Sequence, residues 1–295
     1  PIMTGDIPSG FLELTLKRLF DLQQQQDDGL DPNSEASATY RALLLPVVSL
    51  LSAMAGAGCG CVVLNLVQSY GILAGMHEID LDDCECTAAT ADLAAALASS
   101  PETCLLFCQE WLGVGAGMVH TVKKLLSPLD QDEHGSRNLS SRLMQRGHVG
   151  TAEVIACIEC IGSLLRAAAA VVESASHYRD EEFTRADVLI NVREVWKYIE
   201  SLKFVVGTGS QGPDMPLLRV IIEWESSVGV YTATENFLML LEVLLRQDIP
   251  SDLRDGQIKG VLPYLQYIIE EVLGKSDKRS YMGKIHDGSE MEMEM

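Results

Sequence analysis

The stretch that decides the fold reads GVYTATENFLMLLEVLL (229–245) and then, after a polar connector, GVLPYLQYIIEEVL (260–273). Thr232, with Glu235 three residues later, fits a capping box, which marks the start of a helix. Apolar residues then recur at i, i+3, i+4, i+7 and i+8, namely Phe237, Leu240, Leu241, Leu244 and Leu245. This spacing predicts a helix with one buried face.

The second half of the stretch predicts a partner helix. Pro263 suits a first helical turn, and Gly274 is placed to cap the end. We expect the two helices to form a hairpin whose seam consists of Phe237, Leu240, Leu241, Leu244, Leu265, Ile268 and Ile269. One such pair cannot bury its faces unaided, so it implies neighbouring pairs stacked on both sides.

Helical spacing continues through most of the chain. The strongest run starts at Thr151, where one face carries Val154, Ile158, Ile161, Leu165 and Val172. No motif recurs at a fixed period. The sequence predicts an all-α fold, an α-solenoid of stacked antiparallel helix pairs of the HEAT or armadillo type. We expect this single segment over residues 1–274 and a disordered, acidic, Met-rich tail at 275–295.

The charge of the chain bears on its partners. Its 42 acidic and 22 basic residues give a net charge of −20. Phosphate backbones and anionic lipid surfaces repel such a chain. We therefore expect protein partners and no direct contact with nucleic acid.

The run from Ala42 to Met76 contains no charged residue and is long enough to cross a membrane. It also carries three glycines in its middle, Gly56, Gly58 and Gly60. We interpret these glycines as a break between two buried helices, roughly 43–55 and 61–74, and expect no membrane insertion. A single spanning helix is the alternative.

Eight cysteines raise the question of a metal site. They fall in four pairs: Cys59 and Cys61 on a Gly-rich bend, Cys84 and Cys86 on an acidic loop, Cys104 and Cys108 on a helix, and Cys157 and Cys160 within the apolar helix from Thr151. No two pairs have the spacing of a zinc finger or ribbon. We expect reduced, structural thiols, because cysteine packs as a small hydrophobic residue.

Catalytic motifs give no positive signal. The Gly-rich runs at 56–60 and 113–117 do not complete a phosphate-binding motif, and no histidine stands near a nucleophile in a recognisable order. We expect no catalytic, cofactor-binding or metal-binding residues and no enzyme activity.

Read as Gly-x-Tyr-x-x-Thr-x-x-Phe-Leu-x-Leu-Leu-x-x-Leu, the segment 229–244 resembles a stretch of the large inner-ring scaffold nucleoporins. The residues that carry the resemblance are Gly229, Tyr231, Thr234, Phe237, Leu238, Leu240, Leu241 and Leu244. In that family a similar helix is followed by an apolar helix and an Arg-x-Tyr, here 260–273 and Arg279-Ser280-Tyr281. Upstream, Val154 to Leu165 and the Val195-Trp196 pair look like the preceding helices.

The resemblance covers about the second half of the chain. It implies a non-enzymatic structural component of the nuclear pore complex at the nuclear envelope, which holds other nucleoporins in place and supports transport of protein and mRNA. Family members are longer and continue into further helices where this chain has its acidic tail. The alternatives are the helical scaffold of a very large cytosolic assembly such as a ubiquitin ligase, and a small membrane-associated protein.

Overall fold

The computed structural model describes residues 9–27, 35–73, 83–100, 102–104, 107, 118–127, 151–177, 193–198, 216–246, 262, 265–266 and 268–270. Every regular element in these residues is helical, which confirms the all-α prediction for them. In chain order the longer helices are α1 (Ser9–Asp27), α2 (Glu35–Met54), a π-helical turn (Ala55–Cys59), α3 (Gly60–Ser69), α4 (Cys84–Ser99), α5 (Met118–Leu126), α6 (Thr151–His177), α7 (Pro216–Val228) and α8 (Thr232–Leu245). The 275–295 tail lies outside the described residues, and the single segment over 1–274 stays a prediction.

The helices pack on one another around a shared apolar core. α1 contacts α2, α2 contacts α4, and α4 contacts α6, while α5 and α8 also pack against α6. α6 therefore lies at the centre of the described helices. Small side chains on facing helices let α4 and α6 approach closely, and these buried residues include Ala91, Ala94, Ala98, Ala167 and Ala168.

α4 and α6 run parallel. Arg166 pairs with Asp92, 74 residues away, and the Ser174 hydroxyl donates to the Ala98 carbonyl, 76 residues away. An offset that changes only from 74 to 76 residues means that both helices advance in the same direction, whereas an antiparallel pair would change its offset by two residues for every residue moved. The Cys160 thiol lies against Cys84, which is the same offset at the first turn of α4.

α2 and α4 run parallel as well. At their N-terminal ends the Arg41 guanidinium lies 3.7 Å from the Asp83 carboxylate. Beyond their C-terminal ends Gly60 lies so close to Ser100 and Thr103 that a Cβ there would stand 3.0 Å from each side chain. In the described part of the chain, α2, α4 and α6 thus form a layer of parallel helices with α4 in the middle.

The glycine run in the uncharged segment breaks the helix, as predicted. α2 ends at Met54, a π-helical turn follows, and Gly58 has φ +91°, in the left-handed region that favours glycine. α2 begins at Glu35, earlier than the sequence suggested, and α3 ends at Ser69. The prediction of two helices in this run is confirmed.

Alanine substitutions at two glycines of this turn are expected to have opposite effects. Gly58→Ala forces a side chain into a positive φ and should cost about 1–2 kcal/mol of unfolding free energy. Gly56→Ala meets open space without a positive φ, so it should stabilise by about 0.4–1 kcal/mol through the unfolded chain. Urea unfolding of the two variants checks this. Equal effects would mean that Gly58 is not in a left-handed conformation.

The predicted acidic loop around Cys84 and Cys86 is wrong. Both cysteines lie in the first turn of α4, and the Asp83 carboxylate accepts a hydrogen bond from the Cys86 backbone N–H at 3.3 Å. Asp83 is therefore the N-cap residue of α4. The cap was not predicted because the whole run of acidic residues was assigned to a loop, whereas Asp83 in this run caps the helix.

Two helical stretches of the described residues are long and apolar enough to cross a membrane. Glu35–Ser69 has 39% of its most apolar window buried in the fold, and Ile155–Ser174 has 67% buried. The second belongs to α6, the central core helix. For the first, the break at Gly58 divides the stretch into two shorter helices.

Candidate functional site

The predicted seam residues lie on α8 and in the segment 260–273. Phe237, Leu240, Leu241 and Leu244 are all buried on α8. Ile268 is buried in the same core and Leu265 is partly buried against it. Ile269 departs from the prediction, because 55% of it is exposed. Direct pairing of the 232–245 and 260–273 helices stays a prediction.

Among the described helices, α8 packs mainly against α6. The two helices meet at Gly162, where a Cβ would lie 3.3 Å from both Asn236 Nδ2 and Thr232 Cγ2. Glycine is thus the residue that permits this close approach. Sequence reasoning paired α8 with its neighbour in the chain and did not predict this contact with a helix about 70 residues earlier.

The corner between α7 and α8 is organised by one buried carboxylate, Glu225. Its Oε1 accepts a hydrogen bond from the Ala233 N–H at 2.6 Å, and its Oε2 accepts one from the Thr234 N–H at 3.2 Å. The Thr234 hydroxyl donates to Oε2 as well. The side chain of one helix therefore satisfies the first N–H groups of the next, where the helix dipole also favours a negative charge.

The backbone of Glu225 closes the preceding helix. Its carbonyl accepts hydrogen bonds from the Gly229 N–H at 2.8 Å and the Val230 N–H at 3.2 Å. Gly229 has φ +76°, the left-handed conformation that ends many helices. The Tyr231 hydroxyl lies 3.3 Å from Ser226 Oγ and ties the turn to α7. One residue thus ends α7 and begins α8.

This arrangement replaces the predicted capping box, which is wrong. Tyr231 holds the N-cap position, and no N-cap side-chain hydrogen bond is formed there. Thr232 and Glu235 have the right spacing, but the Glu235 N–H that the Thr232 side chain would serve donates to the Tyr231 carbonyl at 2.9 Å. A cap supplied by the previous helix leaves no local sequence pattern at the start of α8, so sequence reasoning missed Glu225.

Burial has an electrostatic consequence for Glu225, which has no exposed surface. Removal from water disfavours the charged form and raises the pKa of its carboxyl above the ordinary value, while the hydrogen bonds from Thr234 and Ala233 act in the opposite direction. Burial prevails over the hydrogen bonds.

The Val195-Trp196 pair lies in a helical segment at 193–198 that contacts α5. The Tyr198 hydroxyl donates to the Lys123 carbonyl at 3.3 Å, and the Lys123 ammonium lies 5.4 Å from the Tyr198 ring centroid. Val195 is fully buried and Trp196 is 2% exposed. This pair thus belongs to the core.

The cysteines differ in their surroundings. Cys104, Cys157 and Cys160 are buried, Cys84 and Cys86 are half-buried, and Cys59 and Cys61 are exposed. None of these seven forms a disulfide, and among the described residues no group of three His, Cys, Asp or Glu side chains is placed to hold a metal ion. Cys108 lies outside the described residues.

Comparison with family models, curated proteins and solved structures finds no match for this chain. The fold and the corner define its class: an all-helical protein in which helices pack on helices and a buried carboxylate joins two of them.

Proposed function

We propose that this chain is a non-enzymatic structural scaffold of the nuclear pore complex, in which its helices hold other nucleoporins in place. The observation that carries the proposal is the α7–α8 corner. Four residues of the nucleoporin-like pattern have structural roles in this corner. Gly229 adopts the left-handed conformation, and the Tyr231 hydroxyl lies against Ser226. Thr234 donates to the Glu225 carboxylate, and the Phe237 ring is buried. The resemblance therefore rests on residues with distinct physical roles.

The parallel layer supports a solenoid arrangement within this proposal. In a stack of antiparallel helix pairs, equivalent helices of successive pairs run parallel to one another. α2, α4 and α6 have that relation, as the nearly constant offset between α4 and α6 and the contacts at both ends of α2 and α4 indicate. Stacked pairs of this kind offer grooves between helices to amphipathic segments of partner proteins.

Charge supports protein partners over nucleic acid. At a net charge of −20 the chain repels phosphate backbones, so contacts with the transported RNA would be indirect. The chain would act within the nuclear envelope as an architectural element for protein and mRNA transport.

Affinity purification of the tagged gene product from nuclear-envelope extract tests this. We expect other nucleoporins to be recovered and to resist washing with high salt, because salt screens interactions between exposed charges and leaves apolar helix contacts in place. Phe237→Ala, which empties part of the core under α8, should reduce their recovery, while Met239→Ala on the exposed side should retain it. Recovery of ubiquitin-conjugating proteins without nucleoporins would instead support a cytosolic ligase scaffold.

A further inference from the structure

Two cysteines from different helices meet at one end of the α4–α6 contact. Carried back to Cys84, the first residue of α4, the offset of 74 to 76 residues points to positions 158 to 160 on α6. Cys160 lies there, fully buried, and its thiol is within hydrogen-bonding reach of the Cys84 thiol. The helix register and the thiol contact therefore agree.

The two thiols differ in access to solvent. Cys84 is half-buried at the edge of the core, whereas Cys160 is enclosed by it. Cys84 is therefore the residue that a reagent from solution meets first, whereas Cys160 has no exposed surface. This is the arrangement of an entry thiol and a resolving thiol.

We infer that Cys84 and Cys160 form a redox modification site, in which a low-molecular-weight disulfide such as oxidised glutathione converts the thiol pair into a covalent bond between α4 and α6. The Cys84 thiolate attacks one glutathione sulfur, forms a mixed disulfide and releases one glutathione thiolate. The Cys160 thiolate then attacks the Cys84 sulfur, the mixed disulfide breaks, and a second glutathione thiolate leaves. The protein thiols lose two protons and two electrons, and oxidised glutathione gains the two electrons.

The neighbouring Cys86 is a matched control. Its thiol points toward the Arg41 carbonyl of α2, 4.0 Å away, rather than toward α6. Burial and the nearby Asp83 carboxylate raise the pKa of the Cys86 thiol to about 12, so it stays protonated at neutral pH. Cys86 shares the turn with Cys84 but lacks its partner.

The second step should depend on pH. The hydrogen bond with Cys84 and burial both raise the pKa of the Cys160 thiol, so its thiolate is scarce at neutral pH. Closure of the bond should therefore accelerate about tenfold per pH unit as the solution is made more alkaline. Dithiothreitol should reverse it.

The test is peptide mapping of the folded protein after incubation with oxidised glutathione. A glutamate-specific protease places Cys84, Cys86, Cys157 and Cys160 on separate peptides, 79–85, 86–102, 154–159 and 160–173. We expect a linked pair of 79–85 with 160–173, lighter by two hydrogen atoms than the separate peptides. It should be retained in Cys86→Ala and lost in Cys84→Ala.

Two results would overturn the inference without relying on any variant. One is a persistent glutathione adduct on 79–85 with a free thiol on 160–173. The other is a bond from 160–173 to 154–159, which would show that Cys157 is the partner. Oxidation of Cys59 and Cys61 falls on a different peptide and does not enter the comparison.

Discussion

Phe237→Ala is expected to lower the free energy of unfolding by about 3–5 kcal/mol, the usual result of deleting a buried phenylalanine side chain. Phe237 is 2% exposed and lies in the core shared by α6, α7 and α8. Because a domain of ordinary stability has only about 5–15 kcal/mol to lose, the melting temperature should fall markedly. Urea unfolding followed by far-UV circular dichroism measures the change.

Met239→Ala is the matched control two residues further along α8. Met239 is 36% exposed, so its truncation should change the unfolding free energy by only about 0.5 kcal/mol. Similar curves for both variants and the wild type would contradict the packing of α8 against α6.

Glu225→Ala is expected to cost at least about 2 kcal/mol, because each buried donor left unpaired costs about 1–3 kcal/mol. The donors affected are the Ala233 and Thr234 N–H groups and the Thr234 hydroxyl. Glu225→Gln should be milder, since its amide oxygen can still accept from Ala233. Equal loss in both variants would contradict this expectation, because glutamine keeps both the shape of the side chain and one acceptor oxygen.

The pH dependence of the same pair tests the charge of Glu225. Its pKa is raised in the fold, so between about pH 4.3, the ordinary glutamate value, and that higher pKa the folded state binds more protons than the unfolded chain. Stability from this group is therefore present at low pH and falls as pH rises through the window. Relative to Glu225→Gln, the wild type should lose stability there.

The sequence could predict the features that depend only on the spacing of neighbouring residues along the chain. The i, i+3, i+4, i+7 faces located α6 and α8, and the glycines located the break after α2. Burial of Phe237 and Leu241 follows from that spacing alone. These features need no knowledge of the neighbouring helix.

What the sequence could not predict depends on distant residues. The cap of α8 comes from Glu225, eight and nine residues before the N–H groups it binds, while the local Thr232–Glu235 pattern goes unused. The parallel register of α4 and α6 and the meeting of Cys84 with Cys160 span about 75 residues. Ile269 has the spacing of a buried residue yet is exposed, because an apolar face is buried only as far as its neighbour covers it.

Immunofluorescence of the tagged gene product, counterstained for a nuclear pore marker, tests the proposed scaffold role most directly. A scaffold of the nuclear pore should give a punctate nuclear rim that coincides with the marker. A diffuse cytosolic signal or a membrane network without rim staining would contradict it.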